Sequence, residues 1–395
     1  MFSIKSQKLY IDGLLVDNND TIPVEIYKAI QAIQTPIYSD PRLPAFVLST
    51  NNEKIAFGIG GYVRLTSSED FKGISDNIDF IPNQIPINST APQKERFIFD
   101  ATTSKIFFVA LYNTKFGTIL GYFDTNFRGG NNANQVGSAY LSLNGFLIGR
   151  DWSILTDTYA IPPSLDSQGP NGFFGKTTEQ LSYKGYIGKY FSFGAGIEIP
   201  YLSISDTLTN VQTRQITPTF PLFIRVGTND NHFHLAGLIR PLIYRINDKT
   251  SSLFTSAIIC SSALSPFRSL SLDFQAFYGN GTGNYVFDFG SNGYDAFLYD
   301  NRLIKVREFG ATFAVQYQVN ERLKFSGIYS YLKLFNERNM DPFFYRTGRY
   351  VAASVFFKVT KKFEIAGEYN RGIHQLQNGL EGRANRVQLA LRYDF

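Results

Sequence analysis

The sequence predicts an all-β chain: a sixteen-stranded antiparallel transmembrane β-barrel over residues 55–395, preceded by a segment over 1–54. Three observations carry this. Apolar and polar residues alternate with period two in stretches of about ten residues, tight and long connections alternate between those stretches, and the composition is aromatic but poor in charge. Of 395 residues only 18% are charged, against about a quarter in an ordinary soluble domain, while 16% are aromatic and 33 are Gly.

The first element is the segment 1–54. Pro23, Pro36, Pro41 and Pro44 punctuate it, and the one helix its pattern predicts, Val24 to Ile33, is too short for a coiled coil. Lys5 and Lys8 are not followed by an apolar core and a small-residue cleavage site, so no signal peptide is visible. With both ends of an even-stranded barrel on one side, this segment is expected in the periplasm.

From Ile55 onward the alternation takes over. At the C-terminus Val387, Leu389, Leu391, Tyr393 and Phe395 fall on one face and Arg386, Gln388 and Arg392 on the other. Residues 306–318 set Phe309, Phe313 and Tyr317 against Glu308, Thr312 and Gln316. The stretch 270–278 sets Leu272, Phe274 and Tyr278 against Asp273 and Gln275, and 191–199 sets Phe191, Phe193 and Ile197 against Ser192 and Glu198. Tight connections are read at 113–116, 144–145, 187–190, 228–231, 265–268, 319–321 and 360–361. Long ones are read near 68–94, 127–136, 154–176, 204–217, 244–252, 280–303, 335–346 and 373–383. Seven tight and eight long connections join sixteen strands. Closure into a barrel leaves no unpaired edge, which hydrocarbon demands because each unsatisfied backbone group there costs several kcal/mol. Aromatics at strand ends, among them Tyr329, Tyr331, Phe343 to Tyr345, Tyr393 and Phe395, are expected in interfacial girdles.

Other classes fit less well. A soluble β-sandwich hides its apolar faces in a second layer and has no need of alternating connection lengths. The longest apolar runs, such as Ile106 to Tyr112, are too short for a membrane-spanning helix. Lys and Arg (38 residues) are interspersed with Asp and Glu (33), so no basic block marks a nucleic-acid partner. Cys260 stands alone, which excludes a disulfide or a Cys-based metal site and leaves it as a small residue packed in a strand. His232 and His234 share a strand face and are read as a solvated pair at a turn; Asp230 is the one further ligand nearby, so no metal is expected. His374 opens the last loop, but no nucleophile context such as GxSxG accompanies it, and a barrel-embedded hydrolase is the least favoured alternative.

Several stretches bring a family to mind by their residues. The run Tyr278-Gly279-Asn280-Gly281-Thr282-Gly283-Asn284-Tyr285 resembles the YGxGxGRY region of the DcaP-like outer-membrane porins. The ending Ala384 to Phe395 is similar to that family's last strand with its terminal aromatic. Gly145 to Ser153 followed by Leu165 to Gly172 resembles the strand before the family's inward-folded third loop, and that loop's GPNG turn. The resemblance covers residues 55–395. It implies a trimeric sixteen-stranded porin with an inward-folded third loop, small and often dicarboxylate solutes, and a terminal Phe395 read by the barrel assembly machinery. The chain departs from the pattern in two ways: the N-terminal coiled coil is missing, and Asn284 stands where the motif has arginine.

A barrel of this size encloses an aqueous channel, so function reduces to what lines it. The alternation points Arg64, Lys184, Arg225, Arg240, Lys324, Arg386 and Arg392 inward, against Glu198, Asp273, Glu308, Glu364 and Glu368. Arg386 and Arg392 on the last strand and Arg64 on the first are expected to form one basic wall at the seam. Facing it, Asp157 and Asp166 on the third loop would set a transverse field across a constriction. The expected function is passive diffusion of small hydrophilic solutes across an outer membrane, without cofactor or metal. Expected partners are lipid and lipopolysaccharide, the solutes, and further copies or other envelope proteins. The alternative is a plugged barrel in a larger envelope assembly.

Overall fold

The structure, a computed structural model, describes residues 8–11, 37–40, 46–49, 54–73, 78–87, 95–199, 204–205, 212–213, 217–246, 249–290 and 294–395. The helix expected over Val24 to Ile33 lies outside them. No helix among the described residues is long and apolar enough to cross a membrane.

Sixteen strands form the wall. They are β1 (Ile55–Phe71), β2 (Glu95–Asp100 and, after a break, Lys105–Thr114), β3 (Gly117–Gly129) and β4 (Ala133–Leu143). Next come β5 (Phe146–Trp152), β6 (Thr177–Ile187), β7 (Phe191–Glu198), β8 (Phe220–Gly227) and β9 (His232–Ile246). The wall continues with β10 (Lys249–Phe267), β11 (Leu270–Asn280), β12 (Arg307–Gln318) and β13 (Leu323–Leu334), and ends with β14 (Tyr345–Lys358), β15 (Phe363–Leu376) and β16 (Glu381–Asp394). Each pairs antiparallel with its neighbours in sequence, and β16 closes on β1 in a register that runs from Asn385 opposite Phe71 to Asp394 opposite Tyr62. Phe395 and Gly61 exchange backbone hydrogen bonds of 3.0 and 3.2 Å, completing the seam.

The alternation maps onto the two faces. On β16 Val387 and Leu389 are each 50% exposed, outward, while Arg386 and Gln388 are buried inward. Phe313, Tyr317, Phe274 and Tyr278 likewise stand outside. In a wall one strand thick, exposed apolar residues are what lipid solvates. Cys260 differs from its reading: it belongs to β10 but lies on the exposed outer face, because its parity is that of Ile258. Tyr345 differs too. It is buried inside with its hydroxyl donated to Asp288 (2.8 Å), while Phe343 stays exposed.

The tight connections fall where the turn residues require. Asn144 and Gly145 both have positive φ (49° and 89°), the two-residue turn that matches strand twist. A Cβ on Gly145 would lie 2.3 Å from the Lys184 carbonyl oxygen. At the other end, three connections read as long are mostly strand. Strands β3 and β4 approach within a short turn over 130–132, β9 and β10 extend to Ile246 and Lys249, and β15 and β16 to Leu376 and Glu381. Outside the bilayer a strand no longer needs an apolar face, so polar sequence continues the ladder where hydropathy alone suggests a loop.

Beyond the wall, Lys8–Ile11 pairs with Phe46–Ser49, which in turn pairs with the start of β1 below the end of β16. Ile37–Asp40 lies within the barrel, where the Ser39 and Asp40 carbonyls accept from Tyr62 of β1 and Arg392 of β16.

Candidate functional site

The inward face of the wall is polar, and an irregular backbone needs partners it cannot find in a ladder. The segment 153–176, between β5 and β6, obtains them from that face. Near its start Asp157 is held by three strands. Arg225 of β8 donates to Oδ1 (2.7 Å), and His232 Nε2 of β9 (2.8 Å) and the Ser261 hydroxyl of β10 (2.7 Å) reach Oδ2. Burial alone would raise the Asp157 carboxyl, but the His232 hydrogen bond and the Arg225 charge outweigh it and hold the group below the ordinary carboxylate range.

Midway, Glu368 of β15 is the anchor. It accepts from the Leu165 amide (2.7 Å), the Asp166 amide (3.2 Å) and the Ser164 hydroxyl (2.9 Å), and from Ser354, Asn370 and Gln388 on the wall. Arg64 of β1 donates to the Leu165 carbonyl. Asp166 accepts from the Tyr350 hydroxyl (3.1 Å) and from the amide of Phe80, in the connection after β1 (3.0 Å). Burial, with Asp79 nearby, raises its carboxyl well above the usual range.

At its end the Gly172 amide donates to Ser330 of β13 (2.8 Å) and the Phe174 amide to Gln275 of β11 (2.5 Å). A Cβ on Gly172 would lie 2.3 Å from the Tyr331 carbonyl oxygen, so this turn sits against the wall because it is glycine.

The five inward arginines, the loop acids Asp157 and Asp166, and Glu198 lie inside the barrel, yet none of these is a freely exposed pore-lining charge. Arg64, Arg225, Arg240, Arg386, Arg392, Asp157, Asp166 and Glu198 are each 6% exposed or less. The seam neighbours are as the strand order requires, with Arg64 and Arg392 directly opposite. They do not confront the loop acids as a bare basic wall. Arg386 is clamped on Asp70 (2.7 and 3.0 Å), Arg392 holds Asp394 (2.8 Å) and Asp157 meets Arg225 instead. Arg240 bonds Asp295 (3.0 Å) and the side chain of Asn284 (3.2 Å), the residue that departs from the family motif. Glu198 accepts from the Ile154 amide (3.3 Å) and the Tyr285 hydroxyl (3.0 Å).

The histidines are not solvated. His232 and His234 are 1% and 2% exposed, and His234 stacks on Phe223 at 5.0 Å. His374 is turned inward, bonded to the Ile85 carbonyl (3.0 Å) and stacked on Tyr345. The sequence reading missed Glu368 as the loop anchor and Asp70 as the partner of Arg386. Both stand on inward parity, but only the register shows what they meet.

What these contacts leave open is a cavity of about 500 Å³ between the segment 153–176 and the wall from β3 to β9, lined among others by Tyr122, Asp124, Tyr140, Asp151, Lys184 and Arg225. A profile of the DcaP outer membrane protein family matches residues 9–395. The chain belongs to that family. It is an outer-membrane porin, its wall an integral β-barrel. The outer membrane channel DcaP of Acinetobacter baumannii superposes with a TM-score of 0.79 at 16% identity, over 88% of this chain and 99% of that one. For the anion-selective porin from Comamonas acidovorans the values are 0.58, 10%, 86% and 100%. For OmpT of Vibrio cholerae in its trimer form they are 0.53, 12%, 86% and 99%. At such identities the likeness is one of fold. No curated protein sequence matches the chain.

Proposed function

We propose that this DcaP-family barrel passes small hydrophilic solutes by diffusion, anions and dicarboxylates among them, and that the segment 153–176 narrows the route to the side of β3 to β9. The observation that carries the reading is the 500 Å³ cavity on that side, where charged side chains such as Asp124, Asp151, Lys184 and Arg225 stand among aromatic and aliphatic ones. Charge supports the anion preference. Asp124 is met by Lys105 (3.4 Å), whereas Lys184, near the tight-turn end of β6, has no carboxylate partner among the described residues. The tight turns themselves carry Lys115, Lys189, Arg268, Arg322, Lys361 and Lys362 against Asp230 and Glu321, so that mouth is basic. The anion-selective description of the Comamonas acidovorans relative agrees with this. A homotrimer is the assembly in keeping with the OmpT trimer form, and Phe395 is the terminal aromatic offered to the assembly machinery.

Catalysis finds no support in the histidines, since His232 and Ser261 share one oxygen of Asp157 instead of bonding each other. A second reading, a closed barrel within an envelope assembly, draws on the turn Ile37–Asp40 inside the lumen.

Planar bilayers decide between the two. Stepwise conductance is expected, with a reversal potential in a KCl gradient that favours chloride and moves towards potassium in Lys184→Glu. A silent barrel favours the second reading. Conductance with a reversal potential that Lys184→Glu leaves in place removes the route along β6.

A further inference from the structure

At the seam four backbone carbonyl oxygens converge on three donors. Arg64 donates to Leu165, Arg392 to Tyr38 and to Asp40 (3.0 Å), and the Tyr62 hydroxyl to Ser39 (2.9 Å). Three of these oxygens belong to one turn, which closes on itself through the Asp40 amide and the Ile37 carbonyl (3.1 Å). Its Tyr38 ring lies 5.2 Å from the Arg64 guanidinium and 5.3 Å from that of Arg392, and packs with Leu165, Phe356, Ala366 and Ala390. The turn is therefore wedged between the segment 153–176 and the wall.

The donors are of a kind made for anions. Two guanidiniums stand opposite each other in register, both 2% exposed. Asp394 takes two N–H groups of Arg392 (3.0 and 2.8 Å), and Glu364 is the β15 neighbour of Arg392 in register. Arg64 pairs with no carboxylate among the described residues, and its Nη1 is buried without a hydrogen-bond partner. A carbonyl oxygen offers such a fork a dipole, whereas a carboxylate offers a full charge and two oxygens, and charge-assisted bonds are roughly twice as strong.

We propose that Arg64, Arg392 and Tyr62 form a carboxylate-binding site at the β1–β16 seam, and that the turn Tyr38–Asp40 is its resident occupant, displaced when an anionic solute binds. The inference rests on the anion reading above and adds to it a place and a competitor. The turn's carbonyls stand where carboxylate oxygens would stand on Arg392 and Tyr62, and its Tyr38 ring stands beside Arg64, whose own acceptors are the Thr66 hydroxyl (3.1 Å) and the Leu165 carbonyl. A solute that takes Arg64 in both N–H directions removes the support of Tyr38 and frees the lumen on the seam side. Releasing the turn by mutation must then strengthen solute binding, whereas removing Arg64 must weaken it. A turn that only braced the wall would give losses in both cases.

The test uses the full chain with succinate as the probe. In a Cys260→Ser background, Ser39→Cys is expected to react slowly with a water-soluble maleimide and several times faster in saturating succinate. In bilayers, the succinate concentration that halves the chloride current is expected to fall by about tenfold in Tyr38→Ala for a turn in place nine-tenths of the time, and to rise in Arg64→Gln. Labelling that succinate leaves unchanged or slows, in protein that still conducts, overturns the proposal. So does a folded Tyr38→Ala barrel that binds succinate no better than wild type. Absence of chloride current in every form overturns the porin reading instead, and the labelling result alone then decides whether the turn is displaced. Should Tyr38→Ala fail to fold, labelling of Ser39→Cys decides in the same way.

Discussion

Arg64 and Arg392 face each other across the seam where the last strand of the barrel meets the first. Like charges directly opposite on adjacent strands repel, and the structure disperses them. Arg392 lies over the Tyr62 ring (3.9 Å from its centroid) and holds Asp394, while Arg64 points inward to the Leu165 carbonyl. The closure of the wall and the position of the segment 153–176 thus share a residue.

Arg386, unlike Arg64, has a carboxylate partner of its own. Its two bonds to Asp70 are buried on both sides, but Asp70 also accepts from Arg96 (2.9 Å), so Arg386→Ala leaves that carboxylate one cation and is expected to cost less than the about 3–5 kcal/mol of a fully stranded charge, read as a lowered urea midpoint in detergent micelles. Its reversal potential is expected to match wild type. A shifted potential at unchanged stability would restore the basic wall at this position.

Asp157→Asn is expected to cost about 3–5 kcal/mol, because it leaves Arg225 buried beside a neutral group. The native carboxyl is held below its unfolded value, so its contribution is present above about pH 4 and is lost as pH falls from there through the lowered native value. The wild-type and Asp157→Asn midpoints should therefore converge in acid.

Asp166 behaves in the opposite sense. Burial raises its carboxyl, so the cost of charging it is absent below about pH 4 and grows as pH rises towards the raised native value. Asp166→Asn keeps the acceptor for the Phe80 amide and has nothing to ionise. Its midpoint should equal or exceed wild type at pH 8 and lose that advantage at pH 4; a deficit at pH 8 would show that the carboxylate is needed.

Gly172→Val tests the seat of the segment. The added side chain meets the Tyr331 carbonyl oxygen and must push the turn off β13, breaking the bond to Ser330. Single-channel conductance is expected to change and to become noisier, with the barrel still folded by its heat-dependent mobility on gels. Wild-type traces would mean that the turn is not held there.

Leu389→Arg tests the outer face. Leu389 is half exposed on the outer face of the last strand, and a cation there is expected to cost about 2–4 kcal/mol near the bilayer midplane, measured by unfolding from phospholipid vesicles. Gln388→Leu, one residue along and inward, probes a different face and loses the donor to Glu368 instead.

The wall was legible in the sequence because a strand's two faces meet two solvents, and period two records which residue meets which. Val387 and Arg386 needed no structure to be sorted, nor did the Asn144-Gly145 turn. Connections were harder: β9 and β10 continue as strand through sequence that reads as loop, since backbone pairing persists where hydropathy has nothing to distinguish. His232 reads as a solvated turn residue because Asp157, which buries it, is distant in sequence.

By itself the sequence determined the barrel, its strand number, the inward parity of Arg64, Arg225, Arg240, Arg386 and Arg392, and the aromatic, lightly charged surface suited to lipid. The tertiary structure alone decided what those inward charges meet: Asp70 for Arg386, Asp157 for Arg225, the Leu165 carbonyl for Arg64. Alternation is a local property, set by the pleat of one strand. Pairing inside the lumen joins residues such as Ser164 and Glu368, far apart in the chain, and depends on how the barrel closes and where the segment 153–176 comes to rest.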